Sequence, residues 1–194
     1  SPSARAMPMI VPVMTPGSAS DRTCVKKSTT NPPASTSAPT TASVQSITTD
    51  SGGISLTATN VVLGGNLATN AGVNAGNVVL TGTVRLAGDT SITTDAATTD
   101  GTITTTGAIN GTVAGTQSLT LNSGTSGLTL DGIGTTTALK ALTVTTSGLT
   151  TLNNNIRTDN NVGTGNVNFS GATGGVKLGA DITITTDAGG GGTG

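Results

Sequence analysis

From residue 45 to residue 194, the side chains that could do acid–base or electrostatic chemistry are eight Asp and four cations, Arg85, Lys140, Arg157 and Lys177. The chain contains no His and no Glu. A Ser-His-Asp triad, an HExxH zinc site and a Glu-based glycosidase pair are therefore all excluded. Asp, Arg and Lys alone can support a polysaccharide lyase, and Arg85/Asp89 and Lys177/Asp181 each stand four residues apart. At that spacing within strand-and-turn sequence, however, such pairs read as turn residues. Asp50, Asp95 and Asp187 each close an Ile-Thr-Thr-Asp word and could align as a cation-binding row. The commoner use of Asp at such a place is to end a strand by turning the chain. Cys24 is the only Cys, so neither an internal disulfide nor a Cys-rich zinc site can form. Gly189 to Gly192, followed by Thr193 and Gly194, lacks the Lys-Ser/Thr of a phosphate loop and the Asp of a calcium-binding nonapeptide, so it reads as a turn or linker. No catalytic, cofactor-binding or metal-ligating residue is expected, and no cofactor.

A second kind of chemistry is recognition by a regular surface. Thr102-Ile103-Thr104, Thr143-Val144-Thr145 and Thr183-Ile184-Thr185 repeat a Thr-x-Thr pattern. Stacked on one flat face, these would form threonine rows able to order water and bind ice. Thr is also simply a soluble strand former, which gives the pattern a plainer meaning.

Positioning such residues is the task of a sequence written twice. Val84-Arg85-Leu86-Ala87-Gly88-Asp89-Thr90-Ser91-Ile92-Thr93-Thr94-Asp95 returns as Val176-Lys177-Leu178-Gly179-Ala180-Asp181-Ile182-Thr183-Ile184-Thr185-Thr186-Asp187, 92 residues later. Ile47-Thr48-Thr49-Asp50 is a shorter echo, 45 residues before Ile92. Recurrence at fixed distances is the mark of a repeat architecture.

Composition divides the chain near residue 44. All seven Pro, all three Met and the Cys precede that point. Residues 1–44 read as a disordered Pro/Ser/Thr-rich leader or linker, too poor in apolar surface to offset the entropy of ordering. Within it, Arg5, the apolar run Ala6 to Met14 and the small residues Gly17, Ser18 and Ala19 follow the order of a secretory signal, which makes a signal remnant the alternative. Pro8 and Pro12 interrupt any helix there. A third reading is that the leader is not native to the repeat that follows.

Residues 45–194 carry apolar pairs at i, i+2, among them Ile54/Leu56, Val78/Leu80, Val84/Leu86, Leu119/Leu121, Leu128/Leu130, Leu142/Val144, Val167/Phe169, Val176/Leu178 and Ile182/Ile184. Period-two alternation marks strands with one buried face, and Thr, Ser and Asn are the intervening partners. Gly, Asn and Asp between the pairs supply turns. No helical stripe is present, and all but one of the chain's 29 Gly lie in this region and oppose one. The fold class is all-β. Read as two and four coils, the two recurrence distances agree on one coil length, about 23 residues. The expectation is a right-handed parallel β-helix (a β-solenoid) of roughly six or seven coils, a rod about 30 Å long. Inward Val, Ile and Leu would stack on like residues, and Thr and Asn outside would form side-chain ladders. The glycine-rich ending, without a polar cap, suggests a fragment of a longer array.

Gln117-Ser118-Leu119-Thr120-Leu121-Asn122-Ser123-Gly124, Ala138-Leu139-Lys140-Ala141-Leu142-Thr143-Val144-Thr145 and Val176-Lys177-Leu178-Gly179-Ala180-Asp181, taken in order, resemble the repeats of filamentous-haemagglutinin-like giant bacterial surface adhesins over residues 45–194. The family often places an aromatic in its strands, whereas Phe169 is the only one here. The resemblance implies a non-enzymatic structural or adhesive segment of a large secreted protein, displayed at the bacterial cell surface in association with the outer membrane. Adhesion, biofilm and matrix roles follow, with glycans or proteins on host or neighbouring cells, or copies of itself, as partners. Lack of Cys in the repeat suits export. A formal net charge of −1 gives no reason to expect nucleic acid. No apolar run reaches the ~18 residues of a transmembrane helix.

Overall fold

The computed structural model describes residues 41–159 and 165–187. Residues 1–40, with the signal-like run and Cys24, and the glycine run after Asp187 lie outside the described residues.

Every strand in the described residues pairs in parallel with the strand one turn before or after it. The larger sheet stacks β1 (Thr41–Val44), β3 (Ile54–Leu63), β5 (Val78–Leu86), β7 (Ile103–Thr105), β10 (Leu128–Leu130), β12 (Thr150–Leu152) and β15 (Val176–Leu178), with β8 (Ile109–Gly111) also paired to β5. The second sheet stacks β2 (Ile47–Thr48), β4 (Leu67–Ala68), β6 (Thr90–Thr93), β9 (Ser118–Asn122), β11 (Ala141–Thr146) and β14 (Asn166–Ala172). A short pair, β13 (Ile156–Arg157) and β16 (Ile184–Thr185), continues the line that begins in the second half of β3 and β5 and runs through Ile109 and Ile133. The chain is thus an all-β parallel solenoid, as its alternation predicts.

Successive turns place like side chains on one another, as expected of a narrow aliphatic core. Val61, Val84, Ile109, Ile133 and Ile156 form one inward column, each at most 1 % exposed. Ile47, Leu67, Ile92, Leu121 and Val144 form another on the second sheet. A third runs Ile54, Val78, Ile103, Leu128, Thr150 and Val176, so five turns separate its first and last members. At ~4.8 Å per turn that is a stack of about 24 Å.

The turns in this stack are not of constant length, as the repeat distances would have them. The step from Thr90 to Leu119 is about half as long again as the step from Thr41 to Asn60. The interval from Ile47 to Ile92 is indeed two turns, through Leu67. The interval from Ile92 to Ile184 is not a whole number of turns, because Ile92 belongs to the second sheet and Ile184 stacks on Ile156. The two twelve-residue copies are accordingly folded differently. Val84 to Asp95 turns from β5 into β6, whereas Val176 and Ile184 lie in β15 and β16, both outside the second sheet. The recurrence does not report a coil length.

Thr41 to Val44, which the composition places in the leader, is already strand β1, paired residue for residue with Asn60 to Leu63. β3 and β5 are long single strands that bend at a register shift between Thr57 and Asn60. Gly82 makes the bend with φ of +100°, and a Cβ on it would lie 1.8 Å from the Ala58 carbonyl oxygen. Above it the strand line is broken into β7 and β8, with Gly107 against the backbone of Gly82.

Candidate functional site

A stacked row of buried hydroxyls lies at the corner where the chain leaves the second sheet. Register carries Thr48 to Ala68 to Thr93 to Asn122 to Thr145, so the next residue along each strand is Thr49, Thr69, Thr94, Ser123 and Thr146. All five hydroxyls are buried, at 0 to 7 % exposure. Thr49 donates to the carbonyl of Gly52, Thr69 to Gly76 at 2.7 Å and Thr94 to Gly101. Ser123 and Thr146 share the Ser126 carbonyl, 2.7 Å from each. Thr49, Thr69, Thr94 and Ser123 thus tie the loop that follows back to the strand it left, whereas Thr146 ties its strand to the loop of the turn below, and each gives a corner carbonyl a partner. Glycine is required where these loops stack. A Cβ on Gly76 would meet Gly53 nitrogen at 2.4 Å, and one on Gly101 would meet Gly76 oxygen at 2.1 Å. Thr or Ser followed three or seven residues later by a corner residue, usually Gly, is a signal present in the sequence. Thr also faces outward from the strands, so residue type alone does not separate the inward hydroxyls from the outward ones.

Outside this corner, Asn and Asp side chains tie each turn to the next. Ser91 N donates to Asn66 Oδ1 at 2.9 Å, Thr102 N to Asn77 Oδ1 at 2.8 Å and Ser118 N to Asp89 Oδ1 at 2.8 Å. Thr136 N donates to Asn110 Oδ1 at 2.9 Å, and Thr183 N to Asn155 Oδ1 at 2.8 Å. The interturn ladders expected between side chains are thus mostly side chain to backbone.

One open groove of about 590 Å³ lies on this corner, lined by Asp95, Asp100, Asn122, Thr125, Thr145 and Ser147 among others. Asp100 Oδ2 accepts hydrogen bonds from Thr125 N at 2.6 Å and Thr125 Oγ1 at 2.7 Å, and its Oδ1 accepts one from Ala96 N at 2.6 Å. Desolvation raises the Asp100 pKa, but these three donors outweigh it and hold the carboxyl below its ordinary value. Asp95 Oδ2 accepts a hydrogen bond from Asn122 Nδ2 at 2.9 Å. Both carboxylates crowd Gly124, at φ +56°: a Cβ there would lie 2.3 Å from Asp100 Oδ2 and 2.7 Å from Asp95 Oδ1.

The residues singled out from sequence are not gathered into one site. Asp50 and Asp95 share a corner two turns apart, with Asn70 between them donating from Nδ2 to the Asp95 carbonyl at 2.7 Å. Asp187 follows β16, off the second sheet, so the three do not form a row. No group of three or more His, Cys, Asp or Glu suited to a metal occurs among the described residues. The three Thr-x-Thr elements lie at the start of β7, within β11 and at the start of β16, on three different lines of the solenoid, and do not stack on one another. Arg85 lies in β5 and Lys177 in β15, while Arg157 Nη1 donates to the Thr135 carbonyl at 3.0 Å. Asp89, paired with Arg85 by sequence spacing, caps Ser118 on the next turn.

No protein-family model matches the chain, and neither the curated proteins nor the solved structures contain a match. No helix among the described residues is long and apolar enough to cross a membrane.

Proposed function

We propose that the chain is a non-enzymatic structural or adhesive segment of a large secreted or cell-surface bacterial protein, with a role in adhesion, biofilm or matrix. The observation that supports it most is the use made of the polar side chains. Asp89, Asp100, Asn66, Asn77, Asn110 and Asn155 each accept a backbone N–H from the next turn, so the groups with most chemical potential serve the rod itself. A rod of this kind spaces and displays its outer face, and repeat solenoids bind along such extended surfaces. The partners are glycans or proteins on host or neighbouring cells, or further copies of the chain. Saturable binding of the full chain to a glycan array or to whole cells is the expected result. No binding to either, together with no effect on cell clustering, would sink the reading.

A second reading, ice binding, has support from the face that carries one of the three Thr-x-Thr words, Thr143-Val144-Thr145. On the second sheet Ser91, Thr120 and Thr143 stack in one column and Thr93, Asn122 and Thr145 in the neighbouring one, three turns deep. The columns meet Asn168 and Gly171 in β14. Thermal hysteresis and ice-crystal shaping by the full chain test it, and their absence removes it.

A further inference from the structure

The corners that lead from the second sheet to the larger one are unequal. Residues 69–77 and 94–102 form two long corners, and the three that follow, 123–127, 147–149 and 173–175, are short. The two long corners stack: Thr98 N donates to the Val73 carbonyl at 2.8 Å, and Ala75 N to the Thr99 carbonyl at 2.7 Å. The second is closed at its neck, where Gly101 N donates to the Thr94 carbonyl at 3.0 Å. Long corners beside short ones put a step in the flank of the solenoid, and the open groove lies in the angle of that step. Its wall, within residues 95–100, and the first part of its floor, within 122–125, belong to interior turns of the stack.

The groove is formed before any ligand arrives. Asp100 ties wall to floor by accepting from Ala96 N and from Thr125. Glycine keeps the floor open: a Cβ on Gly124 would fill the space beside Asp95 Oδ1 and Asp100 Oδ2, and one on Gly171 would lie 2.9 Å from the Thr145 hydroxyl. Ala96 and Ala97 give the wall a methyl surface, and the exposed hydroxyls of Thr145 and Ser147 line the floor. The volume, about 590 Å³, falls in the roughly 300–1,000 Å³ range of small-molecule sites.

These groups restrict what fills it. No Lys, Arg or aromatic side chain lines the groove, and two carboxylates do, so phosphates, sulfates and uronates are repelled. A hard cation such as calcium takes about six or more oxygen ligands, and no group of three acidic side chains occurs among the described residues. Asp100 already accepts three hydrogen bonds and Asp95 one, so what they offer a ligand is further directional acceptance. A sugar ring suits both halves of such a groove. Its hydroxyls can donate to the carboxylates and exchange hydrogen bonds with Thr145 and Ser147, while its C–H groups lie on the Ala96 and Ala97 methyls.

We propose that this groove binds a short neutral saccharide and rejects acidic ones. The inference rests on the adhesive reading for its class of partner, and adds the site and the charge of the sugar.

The test is a titration of the isotope-labelled full chain followed by amide NMR shifts. The probes are lactose, maltose, cellobiose and N,N′-diacetylchitobiose, with digalacturonate as the acidic comparison. At least one neutral disaccharide is expected to shift the amides of Ala96, Gly124, Thr125 and Ser147 with millimolar affinity, weak because no aromatic ring is there to stack on it. Digalacturonate should shift none of them. Thr145→Leu, at an exposed strand position, is expected to keep the β-type circular dichroism spectrum and weaken binding about tenfold or more. Asp95→Asn should weaken it as well, whereas Thr129→Leu, on the larger sheet and outside the groove, should leave affinity unchanged. Groove shifts with none of the four neutral sugars, equal binding of digalacturonate, or an affinity indifferent to Thr145→Leu would each overturn the proposal. A chain that binds cells but takes no neutral sugar loses the groove alone; one that takes the sugar but binds no cell loses the adhesive reading alone.

Discussion

Ser123 Oγ lies 2.9 Å from Thr146 Oγ1, one turn above it, and both hydroxyl oxygens lie 2.7 Å from the Ser126 carbonyl oxygen, which accepts from them. Both side chains are at most 2 % exposed. Two hydroxyls and a carbonyl thus form a closed polar chain inside an aliphatic core, at the corner where neighbouring turns must keep the same path. Inside a protein such a network is worth more intact than its separate bonds suggest, and costs more when partly broken.

That coupling is measurable. Ser123→Ala and Thr146→Val are each expected to lower stability by about 1–3 kcal/mol, because each leaves a buried polar partner unsatisfied. The double variant should lose less than the sum, with a coupling energy on the order of 1 kcal/mol. Urea denaturation of the four proteins checks this. Strict additivity would show that the two hydroxyls act independently.

Thr150 should respond in the opposite sense. Its hydroxyl is buried without a hydrogen-bond partner, in a column between Leu128 and Val176. Thr150→Val keeps the shape and removes an uncompensated desolvation cost, so it is expected to stabilise the chain by about 1 kcal/mol. A higher denaturation midpoint at unchanged slope is the signature. A lower midpoint would mean that the hydroxyl makes a bond worth keeping.

The bend in the large sheet gives a paired glycine test. Gly82→Ala places a Cβ 1.8 Å from the Ala58 oxygen at a φ of +100°, and should cost about 3 kcal/mol or more. Gly88→Ala meets nothing within 4 Å, and its stability should stay within about 1 kcal/mol of wild type. Thermal melts of both separate steric demand from a mere preference for glycine in loops.

Asp100 links stability to acid. Its folded-state pKa lies below the ordinary 3.8, so the carboxylate is favoured by folding. The resulting stabilisation is fully present above the ordinary value and disappears as pH falls through the lower, folded value. Asp100→Asn should therefore lower stability at neutral pH and flatten the pH dependence in the acid range below about 4. Denaturant titrations of both proteins at neutral and acid pH decide it; parallel profiles would mean that Asp100 carries no such linkage.

Strand positions and the inward set were legible in the sequence because alternation records burial directly. Val78/Leu80, Val84/Leu86, Leu119/Leu121, Leu128/Leu130 and Leu142/Val144 are all buried pairs. Alternation does not say on which side of the solenoid a strand lies, and this is why Ile92 and Ile184 could be taken as equivalents. Their azimuth is fixed by the preceding turns, whose lengths vary at the corners: the loop between β6 and β7 and that between β8 and β9 absorb the differences. Thr was harder to place. Thr93 lies on the outside of the second sheet, partly exposed, whereas its neighbour Thr94 is fully buried at the corner, and nothing in their immediate sequence distinguishes the two roles. Only the return of a glycine seven residues on, at Gly101, separates them.

The unequal steps between paired strands, short from Thr41 to Asn60 and long from Thr90 to Leu119, have a kinetic meaning as well. No strand in the described residues waits for a partner far away in the chain, so loop closure is repeated at nearly the same modest entropic cost in each turn. A polypeptide that becomes available from one end can add each turn to a finished template, and its order is built vectorially. Growth of this kind draws its free energy from the newest interface alone, which makes each completed turn a ratchet against backsliding.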